Sequence, residues 1–274
     1  MHIEREVRKM KAAVLTRYGS PQKLELQEIE EPVPKENEVK VKVHASSVND
    51  WDWCITHGSP FYIRLFCGLI KPKIRALGVD IAGTVVAVGD QVTKFKVGDE
   101  VLGDLSECGF GGYAESCCVS EQILTLKPKA ISHLQAAALP HAAALALQGL
   151  QAGGTLGADT RLLINGAGGG VGTLGLQIAR AMGVGFVAGV DHTSKLDMLR
   201  DLGFDKVIDY TSSDFTEEGQ TYDLILDTKT NRSPFHYLKA LSSTGKYVTV
   251  GGMTKRIIQL LVLVFMLPGG NALV

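Results

Sequence analysis

The feature that most constrains this fold is a glycine-rich loop between an apolar strand and a helix. Residues 161–165 (RLLIN) show no alternation, which predicts a strand buried on both faces of a parallel sheet. The loop GAGGG follows, and residues 171–183 then have helical periodicity that ends at Gly183. Such a loop turns the N–H groups of the helix toward its own concave side, a geometry that binds phosphate.

The register of the loop follows from the spacing of its glycines. A dinucleotide fingerprint needs small residues at relative positions one, three and six. Counting from Gly166 places Val171 sixth, and counting from Gly170 starts inside the helix. Counting from Ala167 fits, with positive φ expected at Gly169 and Gly170. We therefore predict that the diphosphate of a dinucleotide binds along Ala167, Gly168, Gly169, Gly170, Val171 and Gly172, the last of which lets the helix approach the strand closely.

The pattern of elements predicts two domains of different class. Residues 1–130 contain short strands with frequent turns, typical of a small barrel-like β domain. Residues 131–274 alternate strand and helix, typical of a doubly wound parallel sheet, so the fold class is α/β. The first domain has predicted strands at 11–16, 24–30, 38–48, 80–89, 99–103, 113–120 and 123–128. The second has strands at 161–165, 185–190, 206–210, 222–227 and 246–252, with helices at 132–150 around Pro140, 171–183, 194–203 and 234–243.

Composition and charge exclude several classes of partner. The net charge of −1 argues against nucleic acid or an anionic membrane as the main partner. The apolar run 257–267 has 11 residues, fewer than a membrane span needs, and predicts a core helix. The five cysteines include no C-x-x-C pair and predict free thiols. With no apolar signal-peptide core, we expect a cytoplasmic or other reducing intracellular protein that is not secreted.

The end of the second strand of the parallel sheet carries two conflicting signals for the coenzyme. Asp191 lies 19 residues after Gly172, where a carboxylate binds the ribose of NAD. The next residues include Ser194 and Lys195, whose hydroxyl and ammonium suit the 2′-phosphate of NADP. Both coenzymes therefore remain open on this evidence.

Several separated motifs resemble one enzyme family. They are ASSVNDWDW (45–53), LGVDIAGTVVAVG (77–89), KVGDEVLG (96–103), GGYAE (111–115) and LGFDKVIDY (202–210), together with the glycine loop. Between residues 10 and 252 the chain resembles the medium-chain dehydrogenase/reductase superfamily, and within it the zinc-independent quinone oxidoreductase and enone reductase branch. The resemblance implies an N-terminal GroES-like domain and a C-terminal Rossmann-type domain.

The resemblance also implies site residues and a coenzyme. Asn49 and Val79 occupy the positions where zinc-dependent members have a Cys and a His, so no catalytic metal is expected. Lys195 and Tyr210 match a pair that binds NADPH, which favours NADP while Asp191 leaves NAD open. Further coenzyme contacts are expected at Asn49, Asn231, Val250, Gly251 and Gly252.

The implied chemistry is hydride transfer from a reduced nicotinamide to a quinone or to an α,β-unsaturated carbonyl compound. Asn49 and Tyr62 are the candidate catalytic hydrogen-bond donors, although Tyr62 also fits a packing role, and Asp80 is expected to brace the domain. Because relatives continue beyond the strand at 246–252, we expect a C-terminally truncated chain. Three hypotheses stay open: an active reductase, a nucleotide-binding sensor or scaffold without turnover, and a disfavoured zinc-type alcohol dehydrogenase. A homodimer is also left open.

Overall fold

The computed structural model describes residues 8–74 and 76–266. The chain divides into two compact units, one ending at His141 and the other beginning at Ala142. This division lies C-terminal of the boundary after residue 130 that the sequence suggests. Each unit has its own apolar core.

The first unit is built from antiparallel strands. A ribbon of two strands comprises β1 (Lys9–Leu15) and β2 (Leu24–Glu30). A five-stranded sheet has the order β6-β3-β4-β5-β7 and comprises β3 (Glu38–Ser46), β4 (Asp80–Val88), β5 (Glu100–Asp104), β6 (Ser116–Ser120) and β7 (Leu124–Leu126). The helices of this unit are α1 (Asp50–His57), α2 (Tyr62–Cys67) and α3 (His133–Ala137). Alternation in β3 buries Val39 and Val41 in the core, as a half-buried strand requires.

The second unit is a parallel sheet with helices. Its order is β10-β9-β8-β11-β12, with β8 (Arg161–Asn165), β9 (Phe186–Asp191), β10 (Lys206–Asp209), β11 (Tyr222–Asp227) and β12 (Leu241–Thr249). The helices are α4 (Pro140–Ala152), which starts at the division, then α5 (Gly170–Ala181), α6 (Leu196–Leu202), α7 (Pro234–Lys239) and α8 (Thr254–Met266). The strand order reverses between β8 and β11, and ligands of such sheets bind at this switch point, outside the carboxyl ends of the strands.

Two sequence predictions in the second unit were wrong. The helix predicted over 234–243 ends at Lys239, because Leu241 already pairs with Tyr222 of β11, and this tertiary pairing overrides the local helical pattern. The apolar run 257–267 forms α8, but among its described side chains only Leu260 is buried, while Ile258 and Leu261 are more than half exposed. Among the described residues, α8 contacts α7 and buries Leu260 in the core, while its other side chains remain accessible to solvent. It is therefore an amphipathic surface helix and not a buried one. Residue 267 lies outside the described residues.

Two further findings concern the cysteines and the apolar helices of the described residues. All five cysteines are free thiols. A search of the described part of the chain finds no helix with the length and apolarity needed to cross a bilayer.

Candidate functional site

The glycine loop is fastened to the neighbouring strand. The N–H groups of Gly166 and Ala167 both donate to the carbonyl oxygen of Val190, at 2.9 and 3.1 Å. The N–H of Gly169 then donates back to the oxygen of Gly166 at 3.2 Å, which closes a tight turn. Ala167 is fully buried beneath this turn. The loop is therefore a fixed part of the sheet edge rather than a floppy connection.

Helix α5 begins directly at the end of this loop. Its N-cap is Gly169, and no side chain caps the first turn. The first N–H groups of a helix have no partner within the helix, so those of α5 are left to face an anion. The positive end of the helix dipole adds to the attraction. The first turn of α5 thus has the donors that a diphosphate requires.

The positive φ of the loop lies at a different glycine from those predicted. Positive φ was expected at Gly169 and Gly170, but Gly169 has φ −92° and Gly170 already belongs to the helix. The left-handed residue is Gly166, with φ 86°. A Cβ there would also lie 2.1 Å from Oγ1 of Thr228. The position after β8 that requires glycine is therefore Gly166, because of both its φ and the neighbouring Thr228 side chain.

Gly172 allows the close approach of helix and loop that the sequence predicts. A Cβ on this residue would lie 2.4 Å from the carbonyl oxygen of Ala167. Real Cβ atoms do not approach a backbone oxygen so closely, and the oxygen cannot move without breaking the turn. Only glycine fits at this position.

Asp191, at the end of β9, is bound to the glycine loop. Its side chain is buried, and Oδ2 accepts the N–H of Gly168 at 2.7 Å. Oδ1 accepts the N–H of His192 at 2.8 Å and lies 3.3 Å from Nζ of Lys195. Both oxygens therefore have protein partners, and the negative charge is paired. The Asp191 carboxylate therefore anchors the glycine loop to the end of β9.

The other predicted phosphate-binding residues gather at the same edge. Ser194 and Lys195 lie in the short 3-10 turn Thr193–Lys195 that follows β9. Tyr210 follows β10, donates its N–H to the oxygen of Asp191 at 3.2 Å, and leaves its ring half exposed. The ring stands edge-on to His192, with 5.9 Å between the ring centroids. The residues predicted to bind the 2′-phosphate of NADP therefore lie together at one solvent-accessible edge of the sheet.

A buried carboxylate, whose hydrogen-bonding role the sequence did not predict, organises the next strand end. Asp227 is fully buried at the end of β11. Its carboxylate accepts four hydrogen bonds. The donors are Nδ2 of Asn165 at 2.8 Å, the N–H groups of Lys229 and Thr230 at 2.7 and 3.0 Å, and the hydroxyl of Tyr247 at 2.9 Å. Burial, followed by the charge of Asp227, raises the pKa of Tyr247, so this tyrosine stays a donor. The sequence signal was an acid at the end of an apolar strand.

The predicted nicotinamide-end residues lie beside this loop. Val250 donates its N–H to the oxygen of Asp227 at 3.0 Å, and Gly252 has φ 128°. Asn231 is exposed, and its Oδ1 accepts from Arg232 at 3.2 Å. The oxygen of Gly251 accepts a hydrogen bond from Oγ1 of Thr230. These residues share the carboxyl ends of β11 and β12.

In the first unit, Asn49 lies at the N-cap of α1 within a partly buried polar network. Its Nδ2 donates to Oγ of Ser47 at 2.9 Å and to Oδ2 of Asp80 at 3.0 Å. Asp80 also accepts from the hydroxyl of Ser47 at 2.7 Å and from the N–H of His141 at 2.9 Å. Burial raises the pKa of Asp80. Asp80 therefore braces three segments of this unit.

This network limits what Asn49 can do. An amide nitrogen has two N–H donors, and both are already used, so the side chain presents its Oδ1 as an acceptor. The geometry does not support the donor role suggested for it. Tyr62, the other candidate, lies on α2 with 42% of its surface exposed, and within the described residues its hydroxyl has no hydrogen bond.

The described histidines and acids of the first unit are not clustered as metal ligands. Val79, at the position of a zinc ligand in zinc-dependent relatives, is fully buried. Among the described side chains, no group of three or more His, Cys, Asp or Glu is arranged to hold a metal ion. Nδ1 of His141 lies 2.8 Å from Oδ2 of Asp104, and this hydrogen bond raises the pKa of His141.

Sequence families and curated relatives match both units. Residues 35–129 match the alcohol dehydrogenase GroES-like domain, and residues 170–268 match the zinc-binding dehydrogenase family. A chloroplastic NADPH-dependent alkenal/one oxidoreductase of Arabidopsis thaliana is 38% identical over 228 residues, which cover 80% of this chain and 57% of that protein. A chloroplast envelope quinone oxidoreductase homolog of the same plant is 35% identical over 245 residues, covering 85% and 71%. The chain thus spans little more than half the length of the first of these relatives.

A solved structure shares the architecture. The quinone oxidoreductase from Coxiella burnetii superposes with a TM-score of 0.78 at 28% identity, covering 94% of this chain and 88% of that one.

Proposed function

Because this chain belongs to the medium-chain dehydrogenase/reductase superfamily, we propose that it is an NADPH-dependent reductase of quinones or α,β-unsaturated carbonyl compounds. One observation carries the proposal. The first turn of α5 has no side-chain cap, and Gly172 in that turn leaves no room for a Cβ against Ala167 of the loop. Lys195 lies at the end of the adjacent strand β9. These residues fit a dinucleotide diphosphate together with a further phosphate.

The preference for NADPH rests on the charges around Asp191. A free carboxylate at this position would repel a 2′-phosphate, but the Asp191 carboxylate is paired with Lys195 and bound to the N–H of Gly168. The Lys195 side chain is 44% exposed, so its ammonium can turn toward a phosphate. Ser194 and Tyr210 supply hydroxyl donors at the same edge. A 2′-phosphate bound at this edge would therefore be close to the donors of Ser194, Lys195 and Tyr210, whereas the acceptor oxygens of Asp191 are already engaged.

The proposal includes catalysis without zinc. An amide that already donates to Asp80 and a buried valine take the places of the metal ligands found in zinc-dependent members. Neither side chain is a ligand that zinc uses. Polarisation of the substrate must then come from hydrogen bonds.

The residues of the first unit have separate roles in this scheme. When bound, the reduced nicotinamide supplies the hydride, which adds to the quinone or to the β-carbon of the enone. Asp80 holds the Asn49 amide in place, so that its Oδ1 is the atom left to accept a hydrogen bond. The Tyr62 hydroxyl donates a hydrogen bond to the substrate oxygen as negative charge develops there, and a proton from water completes the reduction.

The free cysteines support a reducing intracellular compartment as the place of action. The test of the function combines two measurements on the same preparation. Oxidation of NADPH is followed with a quinone and with an enal, and NADPH binding is followed by fluorescence titration. We expect saturable binding and acceptor-dependent oxidation. Binding without oxidation by either acceptor class would reject the reductase and favour a nucleotide-binding sensor or scaffold, and absence of binding would reject both.

A further inference from the structure

Lys229 lies at the switch point of the parallel sheet, in the loop that follows β11. Its N–H donates to Oδ1 of Asp227 at 2.7 Å, and its carbonyl oxygen accepts the N–H of Met253 at 3.2 Å. The backbone of this lysine is therefore fixed on both sides. A long side chain on a fixed backbone loses less freedom when it binds a ligand than one on a mobile loop.

The side chain of Lys229 lies against Gly166, the first residue of the glycine loop. Its Cε and Cγ lie 2.8 and 3.2 Å from the place where a Cβ of Gly166 would be. Gly166 in turn binds Gly169, the N-cap of α5, through its carbonyl oxygen. The ammonium, one bond beyond Cε, thus ends beside the loop. Lys229 is exposed, and within the described part of the chain no carboxylate forms an ion pair with it.

We propose that Lys229 is a cationic ligand of the coenzyme diphosphate, across the switch point from the first turn of α5. This inference rests on the proposed function. Lys195 serves only the 2′-phosphate, whereas Lys229 serves the diphosphate, which NADH and NADPH share. A charge-assisted hydrogen bond from an ammonium to a phosphate oxygen is stronger than a neutral one, and an unpaired lysine gives up no existing ion pair to make it.

The test replaces the charge and keeps the aliphatic stem. In Lys229→Met, we expect the Kd values of NADPH, NADH and ADP-ribose to rise together, by about fivefold to tenfold. ADP-ribose carries the diphosphate but neither the nicotinamide nor the 2′-phosphate. The Kd of 2′-AMP, which lacks a diphosphate, should not change. Lys239→Met, which removes an exposed charge from α7, is the matched control and should leave all four values unchanged.

Calorimetric titration supplies these values without any turnover, and circular dichroism checks that each variant is folded. Lys229→Arg should restore most of the affinity. Unchanged affinity for ADP-ribose in Lys229→Met would overturn the inference, as would a loss confined to the 2′-phosphorylated ligands. If the unmodified protein binds none of the dinucleotides, the proposed function fails first, and this result is distinct from normal binding that does not depend on Lys229.

Discussion

The carboxylate of Asp191 accepts a 2.7 Å hydrogen bond from the N–H of Gly168, so the end of β9 holds the glycine loop in place. The same carboxylate lies 3.3 Å from Nζ of Lys195. An acid at this strand end is usually associated with NAD, because it binds the ribose and repels a 2′-phosphate. Here its oxygens and its charge are already engaged, which removes the apparent conflict between Asp191 and Lys195.

Replacing Asp191 in two ways separates its hydrogen bond to the glycine loop from its ion pair with Lys195. Asn in place of Asp191 keeps an oxygen that accepts the N–H of Gly168 but removes the charge and frees Lys195. We expect the Kd of NADPH to fall about threefold in Asp191→Asn, the size of a weak surface ion pair, while the Kd of NADH changes little. Fluorescence titration measures both.

Ala in place of Asp191 removes the ion pair with Lys195 and the hydrogen bonds from the N–H groups of Gly168 and His192. The loop then loses its anchor, and we expect the Kd values of NADPH and NADH both to rise, by about tenfold, as for a lost charged hydrogen bond. If Asp191→Asn instead weakened NADH strongly and spared NADPH, the carboxylate would be a ribose ligand and our account of it would be wrong.

Lys195 is expected to determine the preference for NADPH. Its ammonium lies at the edge formed by Ser194 and Tyr210, with 44% of the side chain exposed. In Lys195→Met, we expect the Kd of NADPH to rise about tenfold and that of NADH by less than about twofold, because only NADPH carries the second phosphate. Titration with both coenzymes measures this difference. Equal losses for the two would contradict the assignment.

The two glycines at the start of α5 should respond differently to the same substitution. A Cβ at Gly172 would lie 2.4 Å from the oxygen of Ala167, whereas at Gly169 it would lie 3.5 Å from the oxygen of Gly166 and φ is already −92°. We expect Gly172→Ala to lower the free energy of unfolding by about 1–3 kcal/mol through overpacking. Gly169→Ala should change it by less than about 0.5 kcal/mol. Urea unfolding followed by circular dichroism measures both, and a larger loss in Gly169→Ala would refute the steric argument.

Short apolar runs predicted the strands of the parallel sheet well. The strands at 161–165 and 222–227 were placed correctly to the residue, because short continuous apolar runs bounded by turn residues favour buried strands over helices. The helix at 234–243 was extended too far, since the pairing of Leu241 with Tyr222 is a long-range contact. The residues within this segment do not indicate which distant strand it will pair with.

The site was predictable in its residue types and not in its hydrogen bonds. Gly172 was correctly predicted as a close-approach glycine, yet the left-handed φ lies at Gly166, where crowding comes from Thr228, a residue 62 positions away. The use of both N–H donors of Asn49 depends on Asp80, which is distant in sequence. Spacing along the chain cannot show which partner a side chain finds after folding.

Metal content provides an independent prediction. Because the Asn49 amide donates to Asp80 and Val79 is buried and apolar, we expect purified protein to contain much less than one zinc per chain, even after expression with added zinc. Elemental analysis measures it. As a functional control, prolonged treatment with a chelator should leave NADPH binding unchanged. One zinc bound tightly per chain would overturn the zinc-independent mechanism.

The His141–Asp104 pair should make the stability of the first unit depend on pH. The hydrogen bond to Asp104 raises the pKa of His141 above its ordinary value of 6.5. The folded state therefore binds this proton more tightly, so the stabilisation is complete below pH 6.5 and is lost as pH rises through the raised pKa. Trp51 and Trp53 both lie in this unit, and their fluorescence follows its unfolding in urea. We expect His141→Gln to cost about 1 kcal/mol at pH 6 and less at pH 9. Asp104→Asn should abolish that pH dependence; a cost that grew with pH would show that His141 is held neutral.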